Sequence, residues 1–532
     1  MERLKNLLTK IDGKGYKAYK DIAGEYETKD YSLEIMNVQG DPFASPTMFE
    51  WSILTKKVFE SNDLITNKDK KLALEDFILR YLHENFKNDK ILEEIFILEP
   101  QVEILKRSVV SFKGERLFIK YYFNLPARGR NVLGDEAFEK ISSHGKIIYD
   151  YLKNLPLNKA RSHVNFYENI ENLREQLKKD KIKVFVGEGT VFEKAGKKIP
   201  FVSPKSLLKE YKLDDGKLIR GMALKEGITL ITGFDFQGKS TLLKGIMSGV
   251  YNKIEGCGRE FLLTDKEAVN IMAEKGRSIN GLDMSSFIKG EEKVNKESTS
   301  SSLLCQTANL LESIEVGTPL LLIDEDNSVT NFLYRDEFLK NYLKGEECFT
   351  PFIEKMKDLY ETLNISSIIV TGSLGAFIPY ANQILLVRDF EVEDITEKFE
   401  KTDFEEHLVN LKICRRKLNV SSNLDEFINK KVKIKTEGKC SISFGKEEIN
   451  LKENNALIDN GQLNYIGELI RKIFTRNELH GKTLKEVLDI YEERIEKEGI
   501  EEVLGCKNGS LVFARKYEVA AVINRFKKNL YV

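Results

Sequence analysis

Residues 233–241 form a glycine-rich segment, Gly-Phe-Asp-Phe-Gln-Gly-Lys-Ser-Thr, which directly follows the β-rich run 228–232. The segment matches the G-x-x-x-x-G-K-[ST] pattern of a phosphate-binding loop. A strand that turns sharply into a helix presents successive backbone N–H groups and the positive end of the helix to an anion. The pattern therefore constrains this region to a strand, a loop and a helix, and it predicts a magnesium-bound nucleoside triphosphate as the ligand.

Each end of the loop has an expected part in binding. Gly233 and Gly238 allow the backbone to fold closely around phosphates, Lys239 can reach the β and γ phosphates, and the Ser240 hydroxyl can bind Mg²⁺. The alternative is a chance match, which the helix-like run 242–247 disfavours. The residues predicted to contact the nucleotide are Gly233, Phe234, Asp235, Phe236, Gln237, Gly238, Lys239, Ser240 and Thr241.

The length of the chain predicts more than one domain, because 532 residues exceed the roughly 250–300 at which single cores stop growing. We place an N-terminal α+β domain at 1–204, a layered α/β domain with a largely parallel sheet at 205–398, and a C-terminal domain with a basic segment and a helical end at 399–532. The middle domain is placed there because short apolar strands alternate with helical patterns.

Charge and cysteine content exclude several classes of protein. Lys and Arg (83) balance Asp and Glu (84), so no overall field attracts nucleic acid or membrane. No apolar run approaches the roughly 18 residues of a membrane span, and the N-terminus lacks the apolar stretch of a signal peptide. The six cysteines are scattered without C-x-x-C spacing, which argues against a zinc site or a disulfide framework. We expect a cytoplasmic protein that has no membrane partner.

A second candidate motif lies at residues 319–325, Pro-Leu-Leu-Leu-Ile-Asp-Glu. Four consecutive apolar residues are typical of a strand buried on both faces, and a carboxylate at its end lies at the edge of the sheet where ligands of open α/β folds bind. We expect Asp324 to hold Mg²⁺ and Glu325 to orient or activate the attacking water. The alternative is a strand that merely ends in acidic residues.

A serine-rich run, 298–302, precedes Leu304, Ala308 and Leu311 at helical spacing. Serine is a favoured N-cap because its side-chain oxygen accepts a hydrogen bond from an unpaired backbone N–H. The run therefore predicts the start of a helix.

These segments together resemble the family of predicted ATPases of the ABC class, and the resemblance extends almost from end to end. The matching segments are residues 11–22, 38–46, 125–130, 256–260, 276–278, 322–326, 330–332, 334–336, 444–449 and 517–525. The resemblance implies a P-loop NTPase core of ABC-ATPase type with flanking domains, binding ATP and Mg²⁺ in a homodimer. Some relatives in this family are linked to RNA.

The family order of a serine-capped helix before the Asp-Glu strand implies that Ser301 and Ser302 bind the γ-phosphate held by the other subunit. Two departures make slow turnover the expectation. The family signature resembles Ser-Gly-Ser-Thr-Ser-Gln, but Ser302 replaces its glycine, and Thr371-Gly372-Ser373 lacks the switch histidine of ordinary ABC proteins. Phe236 stands where the broader ABC loop has a third glycine.

Three further positions have two interpretations each. Residues 326–331 lie where ABC proteins have a loop crossing the dimer interface, but Asp326 and Asn327 also suit an Asx-type turn. Arg277 and Arg335 match family positions and could contact phosphate or nucleic acid, or form ion pairs at the surface.

The segment between His407 and Lys439 is basic, with nine Lys or Arg residues against three acidic ones. Such a cluster can bind phosphates without sequence preference. The alternative is a solvated lysine-rich strand at a sheet edge, since Lys431, Lys433 and Lys435 alternate with apolar residues. The residues that we predict to contact RNA are Lys412, Arg415, Arg416, Lys417, Lys431, Lys433 and Lys435.

The sequence thus favours a homodimeric ATPase that couples Mg-ATP to RNA. A nucleotide-gated binding or scaffold protein with little hydrolysis is the second interpretation, which the altered signature permits. A small-molecule kinase is a third, which the Asp-Glu pair and the serine-capped helix disfavour.

Overall fold

The computed structural model describes residues 1–532 except 60–62, 195, 297–299, 337, 339–341, 343–347, 373, 400–412, 414, 421–431 and 454. The α-helices in the described ranges are α1 (Glu2–Ile11), α2 (Lys68–Asn88), α3 (Gly134–Lys153), α4 (Leu157–Lys179), α5 (Lys239–Ser248), α6 (Ser302–Val316), α7 (Thr330–Leu333), α8 (Met356–Leu363), α9 (Asn460–Phe474), α10 (Leu484–Glu498), α11 (Ile500–Leu504) and α12 (Lys516–Ile523).

The strands are β1 (Gly24–Glu27), β2 (Ser32–Met36), β3 (Thr47–Leu54), β4 (Ile95–Phe96), β5 (Val110–Lys113), β6 (Arg116–Phe123), β7 (Ala127–Arg128), β8 (Asn131–Val132), β9 (Ile182–Gly187), β10 (Val191–Lys194), β11 (Lys197–Pro200), β12 (Leu208–Lys212), β13 (Leu218–Lys225), β14 (Ile228–Thr232), β15 (Leu262–Thr264), β16 (Ala268–Asn270), β17 (Ile279–Leu282), β18 (Val294–Lys296), β19 (Leu320–Asp324), β20 (Ser366–Thr371), β21 (Gln383–Arg388), β22 (Glu391–Asp394), β23 (Ile434–Glu437), β24 (Ser441–Phe444) and β25 (Glu447–Asn450).

The chain divides into two compact units, of which the first comprises residues 1–168 and 498–513. Its centre is an antiparallel sheet in the order β1-β2-β3-β6-β4, with β5 also pairing with β6. Lys120 of β6 is fully buried, and its ammonium group lies 2.9 Å from carboxylate oxygens of both Glu50 and Glu501. Because a buried charge must be paired, this contact fixes the late segment onto the early sheet.

The second unit comprises residues 169–497 and 514–532. Its main sheet has the order β16-β19-β20-β14-β21-β22, in which all neighbours are parallel except β21 and β22. The predicted buried strand is confirmed, since every residue of β19 is buried. Strand β20 lies between β14 and β19, so the ends of these three strands are adjacent at one edge of the sheet.

Two smaller sheets complete the second unit. Strands β12, β13, β9 and β15 form one in that order, and β23, β24 and β25 form the other. The latter sheet packs on α9, where Ile434 lies against Gly467. The predicted three-domain division stays a prediction.

Candidate nucleotide site

The glycine-rich segment forms the loop between β14 and α5 that the sequence predicts. Gly233 has φ 143°, and a Cβ there would lie 2.3 Å from the carbonyl oxygen of Val387. Gly238 has φ 105°, and a Cβ there would lie 2.9 Å from the ring of Phe390. Both positions therefore require glycine for conformation and for space. Phe236 has φ 64°, a left-handed conformation that glycine adopts more readily than a residue with a side chain.

Lys239 begins α5 and is only 6% exposed. Its ammonium group donates to the carbonyl oxygens of Gly233 (2.6 Å) and Phe234 (2.8 Å) and lies 3.4 Å from a carboxylate oxygen of Asp235. The charge is thus held inside the loop largely by neutral carbonyl groups. An anion that enters the loop would meet this cation and the N-terminus of α5.

The remaining loop residues differ in exposure. Phe234 (84% exposed) and Phe236 (97% exposed) project into solvent, and Thr241 is half-buried in the first turn of α5. Gln237 anchors the loop, because its side-chain oxygen accepts from the N–H of Asp389 (2.6 Å) and its carbonyl accepts from the N–H of Phe390 (2.9 Å). The turn between β21 and β22 therefore supports the loop from one side.

Asp324 at the end of β19 lies beside the loop, close enough for the Ser240 side chain to lower the pKa of its carboxyl. The carboxylate also accepts from the Asp326 N–H (3.3 Å) and the Asn327 side-chain amide (3.2 Å). Burial raises the pKa of Asp324 above its ordinary value, although these hydrogen bonds act in the opposite direction. A hydroxyl and a neighbouring carboxylate are oxygen ligands of the kind that Mg²⁺ prefers, so Ser240 and Asp324 fit the expected metal.

Glu325 lies beside the same loop. One of its carboxylate oxygens accepts from the backbone N–H of Gly372, the residue after β20, at 2.7 Å. A Cβ on Gly372 would lie 3.0 Å from the carboxylate of Asp235 and 3.5 Å from the ammonium group of Lys239. The structure thus brings Lys239, Ser240, Asp324 and Glu325 together at the adjacent ends of β14, β19 and β20.

The serine-rich run begins α6 as the sequence predicts. Ser301 is the N-cap, and its hydroxyl accepts from the N–H of Leu304 at 3.4 Å. Ser302 is the first helical residue, while Ser298 and Thr299 lie outside the described residues. The role of Ser301 and Ser302 at a partner's phosphate stays a prediction.

The turn after β19 is a short 3₁₀ segment, Glu325–Asn327. An Asx-type contact is present, but Asp324 provides the accepting side chain rather than Asp326 or Asn327. Whether this turn also meets a second subunit stays a prediction.

The prediction that Arg416 contacts RNA is wrong in this structure, because the residue is 4% exposed and fully engaged. Its guanidinium group lies 2.6 Å from a carboxylate oxygen of Glu315, donates to the carbonyl of Asn280 at 2.7 Å, and stacks 4.1 Å from the ring centre of Tyr531. A phosphate backbone cannot reach a side chain that is enclosed and neutralised in this way.

The other members of the basic segment have different settings. Lys412 and Lys431 lie outside the described residues. Arg415, Lys417, Lys433 and Lys435 are exposed, and the last two flank Ile434 on the edge strand β23. This placement agrees equally with a phosphate-binding surface and with solvated lysines.

Arg277 is also buried rather than at the surface. Its guanidinium group pairs with Glu312 of α6 at 2.6 Å and lies 3.5 Å from Glu274. Arg335 donates to the carbonyl of Phe349 at 3.0 Å. The partner of Arg277 is therefore a buried carboxylate, and the alternative of a surface ion pair is wrong for this residue.

Two residues near the site had no role assigned from the sequence. Gly372 supplies the N–H that holds Glu325, and Gln306 of α6 contacts the turn that follows β19. Gln306 gave no distinct signal, since the same helix carries other polar residues such as Thr307 and Asn309. No pattern in the sequence singled out Gly372, because a backbone donor leaves no side-chain signature.

Comparison with known proteins adds to this geometry. Three family models match the chain: the P-loop domain of the ABC ATPases at residues 156–422, about half of the chain, the N-terminal region of ATPases of the ABC class at 1–144, and the MRB1590 C-terminal domain at 433–530. An uncharacterized protein of Methanocaldococcus jannaschii is 32% identical over 204 residues, which cover 37% of this chain. The aligned region spans only 44% of that relative.

Two solved structures illustrate the more distant similarity. An ATP-binding subunit of an ABC transporter shares 13% identity at a TM-score of 0.25, with 39% of this chain and 88% of that chain covered. The protein cbiO1 from Clostridium perfringens, part of the ABC transporter complex cbiONQ, gives the same identity and TM-score, with 40% and 87% covered. Both scores are too low to support an argument.

Within the described ranges, the helices are too short or too polar to cross a membrane. The match of the P-loop model over half of the chain, with the flanking models on either side, establishes the family. The chain belongs to the ABC-class ATPases.

Proposed function

We propose that the protein binds Mg-ATP and hydrolyses it in a homodimer, and that its nucleotide state is coupled to RNA binding. The observation that carries the catalytic part is that the loop residues Lys239 and Ser240 lie beside Asp324 and Glu325. A phosphate loop and the acidic end of a buried strand meet at this edge of the sheet. These are the parts that phosphoryl transfer to water requires.

Each residue has a defined task in this proposal. The N–H groups of the loop and the ammonium group of Lys239 bind the β and γ phosphates. Ser240 and Asp324 would hold Mg²⁺, which neutralises phosphate charge when bound. Glu325 keeps one oxygen on the Gly372 N–H and uses the other to orient a water and accept its proton.

The hydrolytic step is balanced by these groups. The water oxygen attacks the γ-phosphorus, the bond to the bridging oxygen breaks, and ADP and inorganic phosphate leave. Lys239 stabilises the charge that develops on the phosphate oxygens. In the homodimer, the start of α6 in one copy, with Ser301 and Ser302, would complete the site of the other copy.

RNA binding rests on the exposed cations of the basic segment. Because Arg416 is buried, the remaining candidates among the described residues are Arg415, Lys417, Lys433 and Lys435. They supply a charge that binds phosphates without reading sequence. The match to the MRB1590 C-terminal domain model includes Lys433 and Lys435, and it gives further support to the RNA part of the proposal.

The decisive experiment compares phosphate release by the wild type and by Glu325→Gln in the presence of Mg²⁺. Loss of the water-orienting carboxylate should lower the rate by at least about 100-fold while ATP binding persists. Lys244→Ala is a matched control, because Lys244 is an exposed residue of the same helix α5. If Glu325→Gln hydrolyses ATP as fast as the wild type, the assignment of Glu325 is wrong.

A nucleotide-gated binding protein with little hydrolysis is the second candidate. Ser302 favours it, since its side chain stands at the helix start where the family signature has glycine. In that case the wild type and Glu325→Gln should both release negligible phosphate, although both bind ATP.

A further inference from the structure

The side chain of Gln306 is fully buried and joins α6 to the turn that follows β19. Its amide nitrogen donates to the Ser328 hydroxyl at 2.9 Å, and its amide oxygen accepts from the Val329 N–H at 2.8 Å. The Ser328 hydroxyl in turn donates to the carbonyl oxygen of Asp324 at 2.7 Å. The Gln306 side chain therefore binds the end of the turn directly and is linked to its beginning through the Ser328 hydroxyl.

This turn carries Glu325. The N–H of Ser328 donates to the Glu325 carbonyl at 3.1 Å, which closes the turn on itself. The only fixed point that the Glu325 side chain has among the described residues is its contact with the Gly372 N–H. The backbone position of Glu325 is therefore set by the turn, and Gln306 connects the turn to a 15-residue helix.

We propose that Gln306 is a positioning residue that holds Glu325 at the distance from the γ-phosphate that water attack needs. The inference rests on the proposed ATPase function and deepens it. Catalytic geometry is sensitive to displacement, and a shift of about 1 Å can lower a rate on the order of 100-fold. The hydrogen bonds of the Gln306 side chain go to Ser328 and Val329, and neither to the phosphate loop nor to the Asp324 carboxylate, so nucleotide binding should depend on it little.

The chemistry of the site distinguishes glutamine from its closest replacements. Gln306→Glu keeps an acceptor for the Val329 N–H but removes the donor to Ser328, and it places a charge in an enclosed position. Gln306→Leu removes both hydrogen bonds and leaves the Val329 N–H without a partner. Gln306→Asn retains both groups on a side chain that is one methylene too short to span the turn.

Thr307→Val provides a matched control. Thr307 is a fully buried neighbour on the same helix, and its hydroxyl donates to the Leu303 carbonyl within that helix at 2.8 Å. The variant removes a buried hydrogen bond from α6 without touching the turn. A difference between the two positions therefore reports on the turn and not on the helix.

The test measures phosphate release, KM and ATP affinity for the full chain. We expect Gln306→Leu to lower kcat on the order of 10- to 100-fold, with KM and the Kd for ATP within about twofold, while Thr307→Val behaves as the wild type. In the Glu325→Gln background, Gln306→Leu should cause no further loss, because residues that act as a unit are not additive. A thermal melt shows whether Gln306→Leu folds. If it does not fold, Gln306→Glu is measured in its place.

Three results would overturn the inference. The first is an unchanged kcat in both Gln306 variants while the rate still depends on Glu325, which leaves the proposed ATPase intact. The second is a loss of the same size with and without Glu325, which indicates a general structural effect. The third is a wild type with no Glu325-dependent turnover, which removes the proposed hydrolysis as well.

Discussion

Lys239 and Arg416 are both buried cations, but their surroundings differ in kind. Lys239 is held by the carbonyl oxygens of Gly233 and Phe234, and its one carboxylate neighbour among the described residues is the exposed Asp235 at 3.4 Å. Arg416 is bound at 2.6 Å by the buried carboxylate of Glu315, and Glu312 lies 3.8 Å away. One charge is incompletely compensated, and the other is neutralised inside the protein.

The difference shows how a ligand site can be told from a structural ion pair. A buried charge is costly unless it is paired, so a cation held mainly by neutral groups retains an attraction for an incoming anion. A cation enclosed by carboxylates has already used that attraction within the fold. Burial alone therefore does not indicate function, and the identity of the partners decides it.

The largest effect is expected from breaking the Arg416 pair. Arg416→Ala leaves Glu315 buried without its cation, which should lower the free energy of unfolding by about 3–5 kcal/mol. Arg415→Ala, at an exposed neighbour, should change it by less than about 0.5 kcal/mol. Thermal melting of both variants measures the difference. Equal melting temperatures would show that Arg416 is not a structural residue.

The next effect concerns Lys239. Lys239→Ala removes the charged donor for the β and γ phosphates, so we expect ATP affinity to fall on the order of 100-fold. The folded protein should lose little stability, because the variant also removes a buried charge that lacks a buried carboxylate partner. Calorimetric titration with Mg-ATP measures the affinity, and retained affinity would contradict the assignment of the loop.

The same contrast explains what could be predicted from the sequence. The phosphate loop, the buried strand before Asp324 and the helix start at Ser301 each depend on neighbouring residues, whose chemistry the sequence displays directly. The partner of Arg416 is 101 residues away, and the segment that pairs with Lys120 lies near the other end of the chain. A charge cluster was visible in the sequence, but only tertiary packing determined which of its members were buried.

Contacts made by backbone groups were the second feature that could not be predicted from the sequence. The donor that holds Glu325 is the N–H of Gly372, and the carbonyls that hold Lys239 belong to Gly233 and Phe234. Such contacts depend on the path of the chain and not on the type of side chain. The acids and the lysine could therefore be predicted from sequence, while their immediate supports could not.

A pH series sharpens the comparison at Asp324. Burial raises the pKa of this carboxyl, so it takes up a proton at a higher pH than an ordinary aspartate does. As the pH is lowered, Mg²⁺-dependent ATP affinity should therefore begin to fall at a higher pH than it would with an ordinary aspartate. The reason is that the protonated carboxyl no longer binds the metal. Titrations with and without Mg²⁺ at several pH values measure this, and Asp324→Asn should abolish the difference between them.

The same pKa shift predicts the sign of a stability change. A carboxyl whose pKa is higher in the folded state contributes stability below its unfolded pKa, and this stability is lost as pH rises through the folded pKa. Asp324→Asn should therefore raise the melting temperature of the nucleotide-free protein at neutral pH. A lower melting temperature would show that the ionised Asp324 stabilises the fold.

The smallest effect tests whether the exposed cations differ from Arg416 in function as well as in burial. Lys435 lies in the edge strand β23, Lys433 directly precedes that strand, and both side chains are exposed. If both contact the phosphates of single-stranded RNA, changing both to Gln should reduce the slope of log affinity against log salt by about 1.4, since each contact contributes about 0.7. Lys209→Gln with Lys212→Gln is the matched control, because these exposed lysines also lie on an edge strand, β12. Equal slopes for the wild type and both double variants would mean that the β23 lysines are only solvated, and that the RNA surface proposed for this protein lies elsewhere.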